Sequence, residues 1–351
     1  MHQDNAPVAP GSLPEHSAGI RVGRALLEAT APYVEVSAAT SWWYVGSTFV
    51  LLLVSLTAAA LAPWWPLRLV FSLFGALLMV RAFITFHDFQ HGAILKQSRV
   101  AYWLFKGFGA LVLTPSHSWR ESHNYHHGHV GCIEAKSVGA FPLITTEMWR
   151  TATRWQRFSY RAQRHPLVVV FSYPLVFGIN ITLKPFLFAP AKHLDSLVAL
   201  VCHFGLLALL WWLGGFSLAF FVLLLPMTIA SSIGCYLFFA QHSFRRMQVI
   251  SNEAWSFYRA SMESSAFTRM NKVMQWFTGN VGYHHIHHLN IRIPFYRLPE
   301  AMAAIPELQA PLTTTLAPRD IVDCFRSALW DEKRQRMVSY GEAHRAEASE
   351  Q

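Results

Sequence analysis

Three clusters of histidine are the residues of this chain best placed to do chemistry. Histidine is an uncommon residue, yet the 351-residue sequence contains 18. Residues three or four apart share one face of a helix, so spacings of HxxxH and HxxHH predict chelating sets of imidazoles. A single HxxxH pair is weak evidence, but two HxxHH clusters beside it argue against chance. The clusters are His87 and His91; His123, His126 and His127; and His284, His287 and His288.

The type and number of these side chains predict a site with two metal ions. Imidazole suits zinc, copper, iron and nickel. About eight clustered histidines exceed the three or four ligands that one zinc ion takes. Iron is the metal that we favour. The sequence contains neither the Glu-x-x-His repeats of soluble di-iron bundles nor the H-E-x-x-H signature of zinc proteases.

Apolar runs of membrane-spanning length must position the clusters. The chain is 53% hydrophobic and 14% charged, against roughly 25% charged in soluble domains. Charge-poor runs of roughly 20 residues can cross a bilayer, and here they pair into two hairpins joined at residues 63–66 and 214–215. Two further apolar segments are predicted to lie in the membrane interface. Segment 100–114 is too short to span, and segment 167–189 is interrupted by proline, asparagine and lysine. The predicted spans are residues 44–62, 67–86, 197–213 and 216–240.

Charge placement orients the hairpins. Lys and Arg outnumber Asp and Glu by 29 to 20, a formal charge of +9. Ten basic and four acidic residues lie between His87 and His165, whereas both hairpin connectors are uncharged. Because cytoplasmic loops are enriched in Lys and Arg, the long loop and the C-terminal region are expected to face the cytoplasm. All clusters then share the cytosolic side, which requires that 167–189 does not span. The sequence has no basic-aromatic module, so it does not indicate a nucleic-acid partner.

These observations predict an all-α integral membrane protein. Four transmembrane helices in two hairpins are joined by interfacial helices, and a cytosolic helical cap carries the di-iron site. Residues 1–20 are predicted to be a disordered tail, 21–340 a single membrane domain and 341–351 a second disordered tail. We expect a multi-pass protein of the bacterial cytoplasmic membrane.

Two stretches around the clusters resemble the membrane fatty acid desaturase family. Residues 115–127 read PSHSWRESHNYHH and resemble the family pattern P-x-x-S-W-[KR]-x-S-H-x-x-H-H. Residues 279–299 read GNVGYHHIHHLNIRIPFYRLP and resemble the third histidine box with the I-P-x-Y-x-L-P that follows it. The resemblance covers about residues 86–299. Within the family, the sequence resembles the acyl-lipid omega-6 or delta-12 branch.

The resemblance implies a non-haem di-iron centre held by the box histidines and one further histidine after the last span, for which His242 is in place. His285 occupies the variable inner position of its box and is expected to be a bystander. Asp88 is expected to orient a box histidine, and Asn280 to hold a water near the iron. Four other histidines are expected not to bind the metal, namely His117, His129, His165 and His203. The ligands implied are His87, His91, His123, His126, His127, His242, His284, His287 and His288.

The same resemblance implies an oxygen-dependent desaturase that introduces a cis double bond into a fatty acyl lipid or thioester. The acyl chain would lie in a kinked apolar tunnel beside two iron ions, with O2 as co-substrate, and no catalytic side chains beyond the metal ligands are expected. The sequence lacks iron–sulfur cysteine spacings and a dinucleotide fingerprint, and His165-Pro166 lacks the Gly-Gly of a fused cytochrome b5. A separate ferredoxin, or cytochrome b5 with its reductase, is therefore implied.

Two alternatives remain open at this point. Membrane hydroxylases and ketolases that act on lipid or carotenoid use similar boxes, although the stretch 280–299 favours a desaturase. A histidine-rich metal transporter or sensor would place its ligands at mid-membrane depth, whereas these clusters follow the apolar runs.

Overall fold

The structure is a computed structural model, which describes residues 21–133 and 141–350. The predicted tail at residues 1–20 lies outside the described residues, as does Gln351.

Helices make up most of the described chain. Two π-helical segments, Tyr173–Leu183 and Phe220–Leu224, interrupt the longer helices, and 3-10 turns occur at Ala31–Tyr33 and Pro306–Leu308. The α-helices are α1 (Arg24–Ala29), α2 (Ala38–Leu61), α3 (Trp65–Gln90), α4 (Arg99–Leu111), α5 (Ser116–His127), α6 (Thr146–Thr151), α7 (Arg154–Gln163), α8 (Pro166–Val170), α9 (Lys184–Phe188), α10 (Leu194–Ala219), α11 (Leu225–Gln241), α12 (Phe257–Glu263), α13 (Lys272–Phe277), α14 (His284–Leu289), α15 (Leu298–Ala304), α16 (Pro318–Arg326) and α17 (Tyr340–Glu350).

Short strands correct the expectation of an all-α protein. β1 (Phe267–Arg269) pairs in parallel with β2 (Thr313–Thr315), and β3 (Leu329–Asp331) pairs antiparallel with β4 (Arg336–Val338). Each strand has three residues, too few for a period-two pattern to stand out in a sequence. The backbone N–H of Ala266, just before β1, donates to Gln241 O at 3.0 Å. The small sheets therefore fasten the C-terminal region to the end of α11.

Within the described residues, three helical segments are long and apolar enough to cross a membrane: Ala38–Leu61, Trp65–Gln90 and Leu194–Gln241. The first two form a hairpin, in which Ser55 Oγ donates to Phe71 O at 2.8 Å. Gly75 allows the close approach of the two helices, because a Cβ added there would lie 2.9 Å from Leu56 Cδ2.

The segment Leu194–Gln241, 48 residues long, doubles back on itself. Its backbone leaves the helical conformation at Gly214 and Gly215, and Gly215 has a φ of 66°, which favours glycine. At its start, Asp195 Oδ2 accepts a hydrogen bond from His117 N in α5. Near its middle, Ser217 Oγ accepts from Arg68 at the beginning of α3, the end remote from His87. After the turn the chain returns to the histidine clusters at α11.

The two segments predicted to be interfacial are shorter helices. α4 has 13 residues, and the apolar helical stretch Tyr173–Phe188 is below the length of the three candidate spans. Thr182 Oγ1 donates to Leu113 O at 2.8 Å, which joins this stretch to the end of α4. Their position in a membrane interface stays a prediction.

A buried arginine ties the first hairpin to the segment before the third histidine cluster. Arg81 in α3 is 3% exposed, and its guanidinium donates to Thr48 Oγ1 and to the carbonyl of Trp276. The guanidinium carbon also lies 4.3 Å from the centre of the Trp276 ring. These contacts supply the Arg81 guanidinium with hydrogen-bond acceptors and an aromatic ring inside the bundle. A buried charge needs such partners to offset its desolvation.

The C-terminal residues expected to form a disordered tail are instead helical in α17. Ser339 and Glu342 form a capping box: Glu342 N donates to Ser339 Oγ at 3.2 Å and Ser339 N donates to Glu342 Oε2 at 2.9 Å. Glu342 also pairs with Arg245 Nη2 at 2.6 Å. These contacts order the helix by joining it to the segment that follows α11.

Candidate metal centre

The nine histidines identified as ligand candidates converge into two groups. Within each group, one ring nitrogen of every member lies within 4.8 Å of the others. The first group, called site A, is His87, His91, His123, His127 and His287. The second group, called site B, is His126, His242, His284 and His288.

The two HxxHH clusters contribute to both sites in a reciprocal way. In α5, His123 and His127 belong to site A and His126 to site B. In α14 the roles are exchanged, because His284 and His288 belong to site B and His287 to site A. At 3.6 residues per turn, residue i+4 is rotated by about 40° from residue i around the helix axis, and residue i+3 by about 60° in the opposite direction. The HxxHH spacing therefore lets one short helix reach two ions.

The Nε2 atoms of each group face one another. In site A, His123 Nε2 lies 3.0 Å from His87 Nε2 and 3.1 Å from His127 Nε2, which lies 3.2 Å from His287 Nε2. Ligands about 2.1 Å from a metal ion stand roughly 3 Å apart when they are neighbours in its coordination shell. The spacing therefore fits a shared ion.

Site B has the same spacing. His242 Nε2 lies 2.8 Å from His284 Nε2 and 3.2 Å from His126 Nε2. His284 Nε2 lies 3.1 Å from His288 Nε2. His242 follows the end of α11, so the fourth member of this site comes from outside the sequence clusters.

Burial keeps these imidazoles neutral. Desolvation, followed by the neighbouring imidazoles, holds the pKa values of His123, His126 and His127 well below 6.5. Desolvation lowers the pKa of His242 to about 4, against the opposing effect of its hydrogen bond to Ser264. A neutral imidazole has a lone pair, which is the form that binds a metal.

Hydrogen bonds at Nδ1 orient two of the rings. His87 Nδ1 donates to Asp88 Oδ1 at 3.1 Å, and Asp88 Oδ2 accepts from Phe295 N at 2.7 Å. His242 Nδ1 donates to Ser264 O at 3.1 Å. A proton on Nδ1 leaves the Nε2 lone pair free to face the site. Asp88 thus contacts a box histidine, and its role in orienting that ring stays a prediction.

Several buried ring nitrogens make no hydrogen bond within the described part of the chain. They include both nitrogens of His91 and the Nδ1 atoms of His127, His284 and His288. The His91 ring lies among other members of site A, with its centroid 4.6 Å from that of His87. Leaving a buried polar atom unpaired is costly, and a metal ion would satisfy His91. The donor set therefore fits a pair of imidazole-bound cations.

Asn280 lies in the turn that precedes α14, and its role in holding a water near iron stays a prediction. Its φ is 53° in the turn that follows Gly279. Its Nδ2 donates to the carbonyl of Phe295 at 3.1 Å. The backbone N–H of Phe295 donates to Asp88. The Asn280 side chain therefore supports the backbone of Phe295, which holds Asp88 in place.

The histidines expected not to be ligands of the di-iron site lie outside sites A and B. His285 is buried and its Nε2 donates to Leu308 O, and His203 Nδ1 donates to Leu111 O. His129 Nδ1 donates to Tyr125 O, and His165 Nδ1 accepts from Leu167 N at the start of α8.

His117 differs from these four because it belongs to a third group, with Glu121 and His193. The sequence analysis missed this group, because His193 is 76 positions from His117 in the chain and no local motif joins them.

An apolar cavity of about 800 Å³ leads away from the centre. His87, His123 and His284 line it where it meets the two sites. From there it extends between α3 and α11, past side chains that include Phe83 and Met227. Its volume lies within the usual range for small-molecule sites. The cavity therefore provides an apolar space beside the histidines.

The sequence model of the fatty acid desaturase family matches residues 63–316, which include every member of sites A and B. This chain belongs to that family. A fatty acid desaturase of Bacillus subtilis is 31% identical over 276 residues, 78% of each chain. Two sn-1 acyl-lipid omega-3 desaturases (ferredoxin) are also similar. The Nostoc protein is 24% identical over 64% of this chain and 63% of its own, and the Synechocystis protein is 25% identical over 70% and 69%.

Family membership makes the protein an oxidoreductase, a fatty acid desaturase. The two histidine groups fit the histidine boxes of this family and could bind iron.

The neutral histidines of this desaturase predict a specific dependence of stability on pH. A histidine whose pKa is lower in the folded than in the unfolded chain destabilises the fold as the pH falls below 6.5, because the unfolded chain binds protons first. For His242, a change from 6.5 to about 4 corresponds to about 2 kcal/mol at pH 5. We expect the melting temperature of iron-free protein in detergent to fall between pH 7 and pH 5. His242→Asn should flatten that fall, and the exposed His129→Asn should not. A melting temperature independent of pH would contradict this expectation.

Proposed function

We propose that this protein is an oxygen-dependent acyl desaturase that introduces a cis double bond with a non-haem di-iron centre. The observation that carries the proposal is the meeting of sites A and B with the end of the apolar cavity. The five histidines of site A are proposed to bind one iron ion together, and the four histidines of site B a second one. O2 is the proposed co-substrate. Iron and O2 supply the oxidising power that amino-acid side chains lack.

The chain's own residues then bind and orient the substrate. The apolar walls formed by Val80, Phe83, Ile84 and Met227 exclude water from the methylenes that react. Asp88 fixes the His87 ring, and the Ser264 carbonyl fixes the His242 ring, so that Nε2 faces the site in each case. Rings oriented in this way would hold bound metal ions in a fixed position relative to the acyl chain.

A phospholipid is the proposed carrier of the acyl group. Trp155 and Phe158 on α7 are 72% and 60% exposed, and Arg154 lies on the same helix. Aromatic side chains beside arginine are typical of helices that lie in a membrane interface with anionic lipids. Ala162 and Gln163, at the end of α7, line the cavity. α7 would thus hold the cavity mouth at the bilayer, and the two cyanobacterial relatives are named acyl-lipid desaturases.

We further propose four membrane crossings, with the site on the cytosolic face of the bacterial cytoplasmic membrane. The reversal at Gly214 and Gly215 supports two crossings by Leu194–Gln241, in addition to α2 and α3. Electrons are proposed to come from a separate protein. Ferredoxin is the first candidate because the names of both cyanobacterial relatives specify it, and cytochrome b5 with its reductase is the second.

Expression in a host with a defined pool of saturated and monoenoic lipids tests the activity. Mass spectrometry that locates double bonds should find new cis alkenes in cells that produce the protein, and should find them in phospholipids before free fatty acids. Hydroxy or keto lipids without new alkenes would show that the hydroxylase or ketolase alternative is correct. Lipids identical to those of the empty host, despite iron-loaded protein and a co-expressed ferredoxin, would contradict the proposal.

A further inference from the structure

The third group of metal-ligating side chains lies apart from sites A and B. His117 and Glu121 are one turn apart on α5, and His193 directly precedes α10. One ligand atom from each side chain lies within 4.8 Å of the other two. His117 and Glu121 are exposed, whereas His193 is 9% exposed. The group is therefore anchored by one buried imidazole and is accessible to an ion from solvent.

The buried member is held by a network of polar side chains. Ser118 Oγ lies 2.7 Å from His193 Nδ1 and 3.0 Å from Ser196 Oγ. A hydrogen bond at Nδ1 leaves Nε2 as the ring nitrogen that a metal would take, and such partners are typical of metal-bound histidines. Asp195 Oδ2 accepts from the backbone N–H of His117 at 2.8 Å and so fixes the first turn of α5. The His193 ring and the backbone of His117 are thus positioned before any ion binds.

We propose that His117, Glu121 and His193 bind one zinc ion that clamps the start of α10 to α5. Two imidazoles and one carboxylate, with water in the fourth position, form a common zinc ligand set. Lys192 Nζ now pairs with Glu121. Both side chains are about half exposed, and an exposed ion pair contributes little stability, so zinc can displace the ammonium group. Because α5 also carries His123, His126 and His127, the clamp fixes the helix that serves both sites A and B.

Zinc content measured beside iron content tests the proposal in the full-length protein. Protein without a histidine tag, with sites A and B loaded with iron, is dialysed against zinc and its metals are counted by mass spectrometry. We expect one additional zinc per chain, with iron unchanged. Glu121→Gln and His117→Asn should each lose that zinc and keep their iron, and the melting temperature gained by adding zinc should disappear in both variants.

Matched variants separate this site from the histidines nearby. His129→Asn changes another exposed histidine just after α5 and should keep the additional zinc. Ser118→Ala should weaken zinc binding by about 10-fold to 100-fold, because it removes the partner of His193 Nδ1. Equal zinc in wild-type, Glu121→Gln and His117→Asn proteins would overturn the proposal, and so would zinc that enters only as iron leaves. Desaturase activity is not the readout, so failure here is distinguishable from failure of the proposed function.

Discussion

Replacing His287 or His288 by alanine is expected to reduce bound iron from two ions to about one per chain and to abolish desaturation. The two residues are adjacent in α14 but belong to different groups, His287 to site A and His288 to site B. In the proposed di-iron centre, each substitution therefore removes a ligand from a different ion. Since loss of a mere supporting partner already costs about 10-fold to 100-fold, loss of a ligand should reduce activity by at least about 100-fold. Iron per chain and new double bonds in host lipids are the measurements.

The matched control lies in the same helix. His285 is as buried as its neighbours, but its Nε2 bonds the Leu308 carbonyl and it belongs to neither site. His285→Asn should keep both irons and most activity, although it lowers stability. Full activity in His287→Ala or His288→Ala would refute the assignment of these residues as ligands. Equal loss of iron in His285→Asn would show that the whole helix, rather than its ligands, had been disturbed.

Filling the cavity is expected to abolish activity without removal of iron. Gly234 in α11 lines the cavity, and a Cβ added there would meet no atom within 4 Å. Gly234→Phe would therefore extend a ring into the space proposed for the acyl chain. Because even one misplaced methylene in an apolar pocket can change specificity about 10-fold or more, we expect at least about a 10-fold loss of desaturation. The readout is double bonds formed per iron.

Gly205→Phe is the control for this substitution. Gly205 is an exposed glycine in α10 that also has open space at its Cβ, and it does not line the cavity. It should leave the product yield unchanged. If Gly234→Phe retained wild-type yield, the acyl chain would have to lie elsewhere. If it lost iron as well, its effect would belong to the fold rather than to the cavity.

The local parts of the site could be predicted, because they depend on helix periodicity alone. The spacing of His123, His126 and His127 predicts a shared helical face, and the structure has that helix in α5. Spacing did not predict how the histidines divide between two sites, because that division depends on how α5 and α14 pack. His242 was predicted to be a ligand only from the family resemblance, since no sequence pattern near it indicates a ligand.

Other features were not predicted, either because a local signal was given too little weight or because the residues involved lie far apart in the chain. Asn280 was placed near the iron by its distance of one turn from His284, but a positive φ at Asn280 ends that helical register. The helix at Tyr340–Glu350 had a readable signal in the capping box Ser339-x-x-Glu342, yet its exposed composition resembled a tail. The group of His117, Glu121 and His193 joins residues up to 76 positions apart, which only tertiary packing brings together.

The reciprocal sharing of ligands also determines when each iron site can exist. Site A needs His287 and site B needs His284 and His288, although most of the other proposed ligands are made much earlier. His287 follows His127 by 160 residues, so at 5–20 residues per second the ribosome takes roughly 10–30 s to supply it. During that interval the set of imidazoles is incomplete, and imidazole can also bind zinc, copper or nickel. If sites A and B bind iron as proposed, neither site can be completed before α14 has been translated.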